Sequence, residues 1–380
     1  MKRFLLITAL FASGAMAQVR IPGPGGSAAP AASGGSSYAH EYTITLGNSS
    51  QIPASQSNFT VLVCANMTLG NGNACATATG LEVTGSGGYV ANASGYDIIF
   101  SSTVCSSPTS MSWEVPSYTG STGAMEAWVL VPSLAATGTF YMCVGNSSIS
   151  TFQGGTAGAE WDSYTAAVWH FPNGTAISGT DSSANGNNLT VSGSGVTAGA
   201  GQIDGGPIGT STVWTLDKTS GVTNIPATNV AQTMSVWFTV NSLSFLGTGF
   251  LLTNGSSNGN ALNIANGTIE WQNWGGSTVA NYTSIPATGV WHQAVFSANG
   301  SGTTCSYLDG SLIGSCSSYT LQTGSPTQIY VSTYDGHSQP WNGDLDEIHV
   351  ASTQRSANWI ATEHNNQSAP ASFMSIALAY

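Results

Sequence analysis

The sequence predicts an all-β protein built from two tandem antiparallel β-sandwiches. Charged residues make up only 6% of the chain, which disfavours helices because the exposed faces of helices are usually rich in charge. The chain contains 47 glycines together with abundant Ser, Thr and Asn, a composition typical of strands joined by tight turns. Short alternating segments recur at close intervals, and 380 residues leave room for two domains.

The first 17 residues have the features of a secretory signal peptide. A short positive region, residues 1–3, precedes an apolar run over residues 4–11 and a small-residue site at residues 15–17. Residues 18–37 are rich in Gly, Pro, Ser and Ala without periodicity, so we expect a flexible leader there. The sequence therefore predicts a secreted or cell-surface protein, extracellular or periplasmic, with no transmembrane segment.

The charge balance excludes two classes of partner. After removal of the signal peptide the strong cations are Arg20, Lys218 and Arg355, against 17 acidic residues. So acidic a chain has no electrostatic attraction to nucleic acid or to an anionic membrane surface.

Alternating apolar residues separated by turn residues define the expected strands. In the first half these are residues 42–46, 59–63, 97–100, 112–115, 127–131 and 139–144. In the second half they are residues 166–171, 234–240, 250–252, 268–271, 291–296, 306–308, 328–331 and 345–350. A short helix is expected from Ser356 to Glu363, with Ser356 as its N-cap and with Trp359 and Ile360 anchoring it to the sandwich.

Six cysteines fit an oxidising compartment and three disulfides. Cys305 and Cys316 flank a hairpin signature and would lie opposite each other if its turn centres on Gly310 and Ser311. Proximity along the chain suggests the pairs Cys305–Cys316, Cys64–Cys75 and Cys105–Cys143. Six cysteines allow many other pairings.

Four ordered segments in the first half carry a family resemblance: Asn92 to Phe100, Ser112 to Val115, Glu126 to Leu134, and Phe140 to Asn146. In order and spacing they are similar to the family catalogued as domain of unknown function 2341, although Cys143 and Val144 replace residues that are usually aromatic. The resemblance implies a β-sandwich over residues 38–152. It implies a place in surface and envelope proteins and no agreed chemistry.

The second half carries another set of matching segments: Ala167 to Phe171, Asp181 to Asn188, Trp291 to Phe296, Tyr307 to Gly310, and Gly343 to Val350. Residues 160–372 resemble the laminin-G-like, concanavalin A-like jellyroll. The resemblance implies a concanavalin-like jellyroll of two antiparallel sheets. It also implies one of three roles, since such domains include carbohydrate-binding modules, adhesion modules and glycosidases.

The acidic strand near residue 345 and the loop near residue 181 together suggest a structural calcium site. Asp181 and Asn187 lie in a loop of carboxylate, hydroxyl and amide oxygens, the ligands that Ca²⁺ prefers. In jellyrolls of this type that loop can lie near the last strand, where alternation puts Asp344 and Asp346 on one side and Glu347 on the other. The alternative is that Asp181 caps a turn and the two strand aspartates accept backbone hydrogen bonds.

Aromatic residues in the second half suggest a glycan-binding surface. Sugars are bound by aromatic faces, with amides and carboxylates bonding the hydroxyl groups. The candidate ligand-binding residues are Trp271, Trp274, Tyr334, His337 and Trp341. In contrast, Trp169, Trp237 and Trp291 lie in apolar runs and are expected in the core.

Catalysis is not expected. Glycoside hydrolysis needs two suitably spaced carboxyl groups. Laminarinase-type jellyroll enzymes carry Glu-x-Asp-x-Glu on a strand, whereas this chain has no Glu two residues from Asp346. We therefore expect an exported, non-catalytic carbohydrate-binding or cell-adhesion protein, whose partners are glycans or surface polysaccharides. The alternatives are a structural subunit assembled through strand edges, with copies of itself or envelope proteins as partners, and a jellyroll glycoside hydrolase.

Overall fold

The computed structural model describes residues 37–172, 176–210, 212–226, 229–242, 247–253, 259–265, 268–274, 278–282, 288–318, 326–333 and 339–380. The expected signal peptide, residues 1–17, lies outside the described residues, as does all of the expected leader except residue 37. Among the helices in the described ranges, none is long and apolar enough to cross a membrane.

The first sandwich packs a four-stranded sheet against a three-stranded sheet. Its strands are β1 (His40–Leu46), β2 (Gln56–Ala65), β3 (Ile99–Ser101), β4 (Ser112–Thr119), β5 (Ala124–Leu134), β6 (Thr139–Val144) and the last strand of the chain, β23 (Met374–Leu378). The sheets have the orders β23-β1-β6-β3 and β2-β5-β4, with antiparallel pairing throughout. Alternate residues of each strand, such as Phe59, Val61 and Val63, point inward and form the core.

The second sandwich packs two larger sheets. Its strands are β7 (Thr165–Trp169), β8 (Thr190–Gly193), β9 (Val196–Ala200), β10 (Gly205–Gly209), β11 (Trp214–Lys218), β12 (Ala231–Phe238), β13 (Gly247–Thr253), β14 (Gly259–Ala265), β15 (Thr268–Trp274), β16 (Thr278–Tyr282), β17 (His292–Asn299), β18 (Thr303–Leu308), β19 (Ser311–Leu312), β20 (Ser317–Ser318), β21 (Gln328–Ser332) and β22 (Leu345–Ala351). The junction sheet has the order β19-β18-β17-β12-β22-β7, with β20 paired to β18, and the distal sheet has the order β16-β15-β14-β13-β21-β11-β8. The predicted all-β class with two antiparallel sandwiches is confirmed.

The C-terminal strand returns to the first sandwich. β23 pairs with β1 in antiparallel register from Tyr42 with Leu378 to Leu46 with Met374. The expected boundaries, 38–152 and 160–372, leave this strand out because no local pattern reveals a pairing between segments more than 300 residues apart. Strands β1–β6 and β23 thus form the first sandwich, and the second sandwich is formed by the segment between them.

Helix α1 (Ala357–Ser368) lies between the two sandwiches and leads into the short helix α2 (Pro370–Phe373). Ser356 caps it as expected, since its side chain accepts a hydrogen bond from the Trp359 backbone N–H. Ile360 is buried against the junction sheet, while the Trp359 ring packs 4.7 Å from that of Phe59 in the first sandwich. The Asn366 amide accepts from the Leu62 N–H at 2.7 Å and donates to the Leu62 C=O at 3.0 Å, so it closes part of the β2 edge.

Three disulfides join the expected partners: Cys64–Cys75, Cys105–Cys143 and Cys305–Cys316. The hairpin beside Cys305 pairs Leu308 with Ser311, so its turn centres on Asp309 and Gly310, one residue earlier than expected. Both turn residues have positive φ (49° and 72°), the conformation that two-residue hairpin turns favour.

Candidate functional site

A β-bulge in β22 changes the direction of its acidic side chains. The register between β22 and β12 shifts between the pairs Ser235–His349 and Trp237–Asp346, and Glu347 has a φ of 44°. A bulge inserts an extra residue and breaks the two-residue alternation. Carboxylate oxygens of Asp346, Glu347 and Asp204 lie within 4.8 Å of one another. The expectation that Glu347 points away from Asp346 is therefore wrong.

Glu347 is the centre of a chain of ionisable groups that joins the two sandwiches. Its carboxylate lies 2.8 Å from Nδ1 of His170 and 2.8 Å from Nε2 of His349. The second nitrogen of His170 contacts Glu114 of β4 at 2.9 Å, and the second nitrogen of His349 contacts Glu363 of α1 at 3.1 Å. Carboxylates and imidazoles thus alternate from the first sandwich, through β22, to the helix.

This alternation favours protonated histidines, because an imidazolium donates from both ring nitrogens and a neutral imidazole from one. Burial lowers the pKa of His170, but the Glu347 charge and the hydrogen bonds to Glu114 and Glu347 outweigh it and raise the pKa well above its ordinary value. The pKa of His349 is raised as well, since its bonds to Glu347 and Glu363 outweigh burial. Burial alone would raise the pKa of Glu347, but the charge of His170 lowers it.

A second group of carboxylates lies beside Glu347. Asp204 belongs to the turn between β9 and β10, and this turn is held by the Ile203 N–H, which donates to Asp346 at 3.0 Å. Burial raises the pKa of Asp346 well above its ordinary value, and the charges of Glu347 and Asp204 raise it further. Glu126 of β5 behaves in the same way, through burial and then the charge of Asp204.

Close approach of the β9–β10 turn depends on glycine. A Cβ on Gly201 would lie 2.3 Å from the Gly205 carbonyl oxygen and 2.5 Å from Oδ2 of Asp346. From the other side the Gly70 N–H donates to the Ile203 carbonyl, and the Ile203 side chain is buried with Leu69 and Trp128 of the first sandwich. The turn is thus clamped between both sandwiches.

The junction is closed to large ligands. The side chains of Glu126, Asp346 and Glu347 are 0% exposed. The Trp128 ring stacks 4.8 Å from that of His170, with Trp161 beside both. A cavity of about 40 Å³ borders His349, which is space for water and far below the size of a sugar site.

The residues expected to hold calcium do not form the expected set. The Asp181 carboxylate accepts from the backbone N–H groups of Val168, Ser183 and Asn187, and the Asn187 amide bonds the backbone of Thr223. Asp344 accepts from the Thr239 hydroxyl at 3.1 Å. Within the described ranges, two groups of His or acidic residues are close enough to share an ion, His170–Glu347–His349 and Asp204–Asp346–Glu347. Of the expected residues only Asp346 belongs to either, and Asp181 has the turn-capping role of the alternative interpretation.

The expected ligand-binding aromatics divide into two kinds. Trp271 is 1% exposed and Trp341 is 0% exposed, and both pack in the core of the second sandwich, so neither offers a face to a sugar. Trp341 also donates from Nε1 to the Thr239 carbonyl. Tyr334 and His337 lie outside the described residues, as does the side chain of Trp274 at the end of β15.

The outward face of the distal sheet carries a small buried apolar cluster, Leu251, Ala261 and Tyr330, with polar residues beside it. Alternation from the core residues of β11, β14, β15 and β21 turns these side chains outward: Thr215, Asp217, Asn263, Glu270, Gln272 and Tyr330. At one end of this face lies a groove of about 330 Å³, here called the distal groove, lined by Ser192, Gly193, Val213, Trp214, Thr215, Asp217, Thr219, Tyr330 and Thr333. Burial raises the pKa of Asp217, and the Ser192 hydroxyl donates to its carboxylate.

Residues 209–361 match the family model described as the concanavalin A-like lectin/glucanases superfamily, of the laminin-G type. This part of the chain has the concanavalin A-like fold. A search of curated protein sequences found no match. The similarity of residues 38–152 to domain of unknown function 2341 stays a prediction.

Among solved structures, this chain is similar over part of its length to domain 4 of AbnA, an extracellular arabinanase of Geobacillus stearothermophilus, in complex with arabinotriose. The identity is 17% and the TM-score 0.44, over 53% of this chain and 98% of that one. The binding domain of botulinum neurotoxin serotype G matches at 12% identity and a TM-score of 0.42, over 53% of this chain and 50% of that one. Scores this low carry no information about ligands.

The sequence analysis does not identify Glu114, Glu126, His170 and Asp204 as site residues. One feature of the sequence points to Glu126. Glu126 lies between Met125 and Ala127 in a strand whose neighbours are apolar, and a carboxylate in such a position needs a buried partner. Its hydrogen-bond partner Trp128 lies on the same strand, but the charged groups that act on it, Asp204, His170 and Glu347, belong to the second sandwich, and a local pattern does not reveal them.

Proposed function

We propose that the protein is an exported, non-catalytic carbohydrate-binding or adhesion protein of the cell surface, with the distal groove as its glycan site. The family match to lectins and glucanases supports a saccharide ligand, and the three disulfides support an oxidising, extracellular setting.

The distal groove carries the proposal because it combines the groups that recognise sugars with a suitable size. Asp217 and the hydroxyl groups of Ser192, Thr215 and Thr219 can exchange hydrogen bonds with sugar hydroxyls, and Tyr330 forms part of the wall. A volume of about 330 Å³ falls within the range of small-ligand sites.

A non-catalytic role is supported by the position of the carboxylates. Hydrolysis of a glycosidic bond needs two carboxyl groups that flank the bond. The paired acids of β22 are buried against the first sandwich, whereas among the described residues that line the distal groove one, Asp217, carries a carboxylate. We therefore expect binding without release of reducing sugar.

The test is a glycan array with the chain from residue 18, followed by calorimetry on any ligand found. Asp217→Ala should weaken binding by about tenfold or more, the equivalent of about 1.4 kcal/mol, and Thr215→Trp should abolish it by filling the groove. Thr197→Trp is the matched control, because Thr197 is an exposed strand threonine on β9, away from the groove. Absence of glycan binding, or binding that survives Thr215→Trp, would contradict the site, and sugar release would contradict the non-catalytic role.

One observation favours the structural-subunit alternative. β23 is an edge strand that pairs only with β1 among the described strands, and its sequence, Met374–Leu378, contains neither charge nor proline. Such edges can accept a strand from another chain. The N–H of Ala379 donates to the Glu41 carbonyl of β1, so that of its neighbour Leu378 faces the open edge. If this edge drives assembly, Leu378→Pro should convert oligomers to monomers in analytical ultracentrifugation. A monomeric wild-type protein at high concentration would remove this alternative.

A further inference from the structure

The carboxylates at the junction come from three separate elements of both sandwiches. Asp346 and Glu347 belong to the bulge of β22, Asp204 to the β9–β10 turn, and Glu126 to β5 of the first sandwich. The oxygens of the first three lie within 4.8 Å of one another. Glu126 lies outside this set but bonds Trp128, whose ring is buried with Ile203 of the β9–β10 turn, and the charge of Asp204 acts on it.

Glu126 supplies an independent indication that something belongs between these groups. Its side chain is fully buried, and its Oε1 accepts from Nε1 of Trp128 at 3.3 Å. Its Oε2 has no hydrogen-bond partner in the described part of the chain. A buried carboxylate oxygen without a donor or a cation carries the full cost of its lost hydration.

The Lys and Arg side chains of the described residues bond other groups. Arg355 makes a two-bond ion pair with Asp162, at 2.6 and 2.8 Å, and Lys218 contacts the Gly186 carbonyl on the distal side. His170 and His349 are shared by Glu114, Glu347 and Glu363. Within the group, the charges of Glu347 and Asp204 repel that of Asp346.

We propose that a divalent cation of the calcium type binds at the junction between Asp204, Asp346, Glu347 and Glu126. The donors are carboxylate oxygens, which hard cations prefer, and the set lacks the thiolates that would favour zinc. The ion would offset the mutual repulsion of these carboxylates and tie β5 of the first sandwich to β22 and the β9–β10 turn of the second. This site is separate from the distal groove and does not depend on glycan binding.

The first measurement is the metal content of the chain from residue 18, purified without chelator, by mass spectrometry of the metals. We expect about one calcium per chain and a melting temperature that falls by about 5 °C or more with EGTA and recovers with excess Ca²⁺. Titration of the stripped protein with Ca²⁺ alone should give a single class of site.

Two isosteric variants locate the ion. Glu126→Gln and Asp204→Asn should each weaken Ca²⁺ binding by about tenfold or more and remove most of the EGTA effect. Glu160→Gln is the matched control, since Glu160 is a buried glutamate of the same junction that bonds the Gly158 N–H and should leave Ca²⁺ binding unchanged.

Three results would overturn the proposal: wild-type protein without bound metal whose melting temperature ignores both EGTA and millimolar Ca²⁺, binding of Zn²⁺ alone, or Ca²⁺ binding that both variants leave intact. The wild-type measurements decide the matter if a variant fails to fold.

Discussion

The two sheets of the second sandwich share a core but use their outward faces differently. The junction sheet turns Asp346, Glu347 and His349 outward, and the first sandwich and α1 cover them. The distal sheet turns Asp217 and Thr215 outward at a groove. The polar groups of the junction face are therefore buried between layers, whereas Thr215 and Asp217 on the distal face stay partly exposed.

Removal of the central charge at the junction should give the largest effect. Glu347→Gln keeps the size of the side chain but leaves His170 and His349 without the carboxylate that they share, so we expect a loss of about 3–5 kcal/mol in the free energy of unfolding. Urea denaturation of wild type and Glu347→Gln measures this loss in the free energy of unfolding. Asp217→Asn is the matched control on the distal sheet and should change stability by less than about 0.5 kcal/mol. Equal effects at both positions would contradict the contrast between the two faces.

A smaller effect is expected from a methyl group at the clamped turn. Gly201→Ala puts a Cβ against the Gly205 carbonyl and the Asp346 carboxylate, and we expect a loss of about 1–3 kcal/mol from the displacement of this turn. Gly85→Ala is the control, because its Cβ would meet nothing within 4 Å. Thermal unfolding of the two variants compares them, and a Gly201→Ala protein as stable as wild type would mean that the turn is not held tightly.

The smallest of the three effects depends on pH. Burial raises the pKa of Asp162, but its bonds to Arg355 outweigh this and the net pKa lies below the ordinary value. The folded state therefore favours the ionised form, so the contribution is complete above about pH 4 and is lost as the pH falls through the lowered pKa. At pH 6 we expect Asp162→Asn to be less stable than wild type by about 1–2 kcal/mol.

This difference between wild type and Asp162→Asn should shrink toward zero as Asp162 becomes protonated below about pH 4. The midpoints of urea denaturation of both proteins at several pH values measure this difference. A difference that stays constant with pH would show that hydrogen-bond geometry, and not charge, stabilises this contact.

The expected strands of both halves overlap strands of the structure, because an inward-facing row of apolar residues is a property of the local sequence. The helix cap at Ser356 was predictable for the same reason, although α1 runs to Ser368, beyond the expected Glu363. Each of the three disulfides joins a strand cysteine, Cys64, Cys143 or Cys305, to a cysteine in a loop.

The site depended on contacts that local patterns do not contain. Simple alternation places Glu347 on the face opposite Asp346, but the β-bulge adds one residue to β22 and turns both side chains to the same face. The pattern of apolar residues does not reveal such a bulge. Trp271 and Trp341 were assigned to a surface because an aromatic residue beside polar neighbours suits either a core or a binding face.

The sequence by itself determined the all-β class and most strand positions, since turns and alternation act over a few residues, whereas it suggested the cysteine pairs by proximity and left other pairings open. Only the tertiary structure decided that β23 completes the first sandwich and that the face of β22 carrying His349 is covered. It also brought Glu114, Glu126 and Asp204 to that face. These contacts join groups that are more than 50 residues apart in the sequence. They form only when the two sandwiches pack against each other, which a local pattern does not describe.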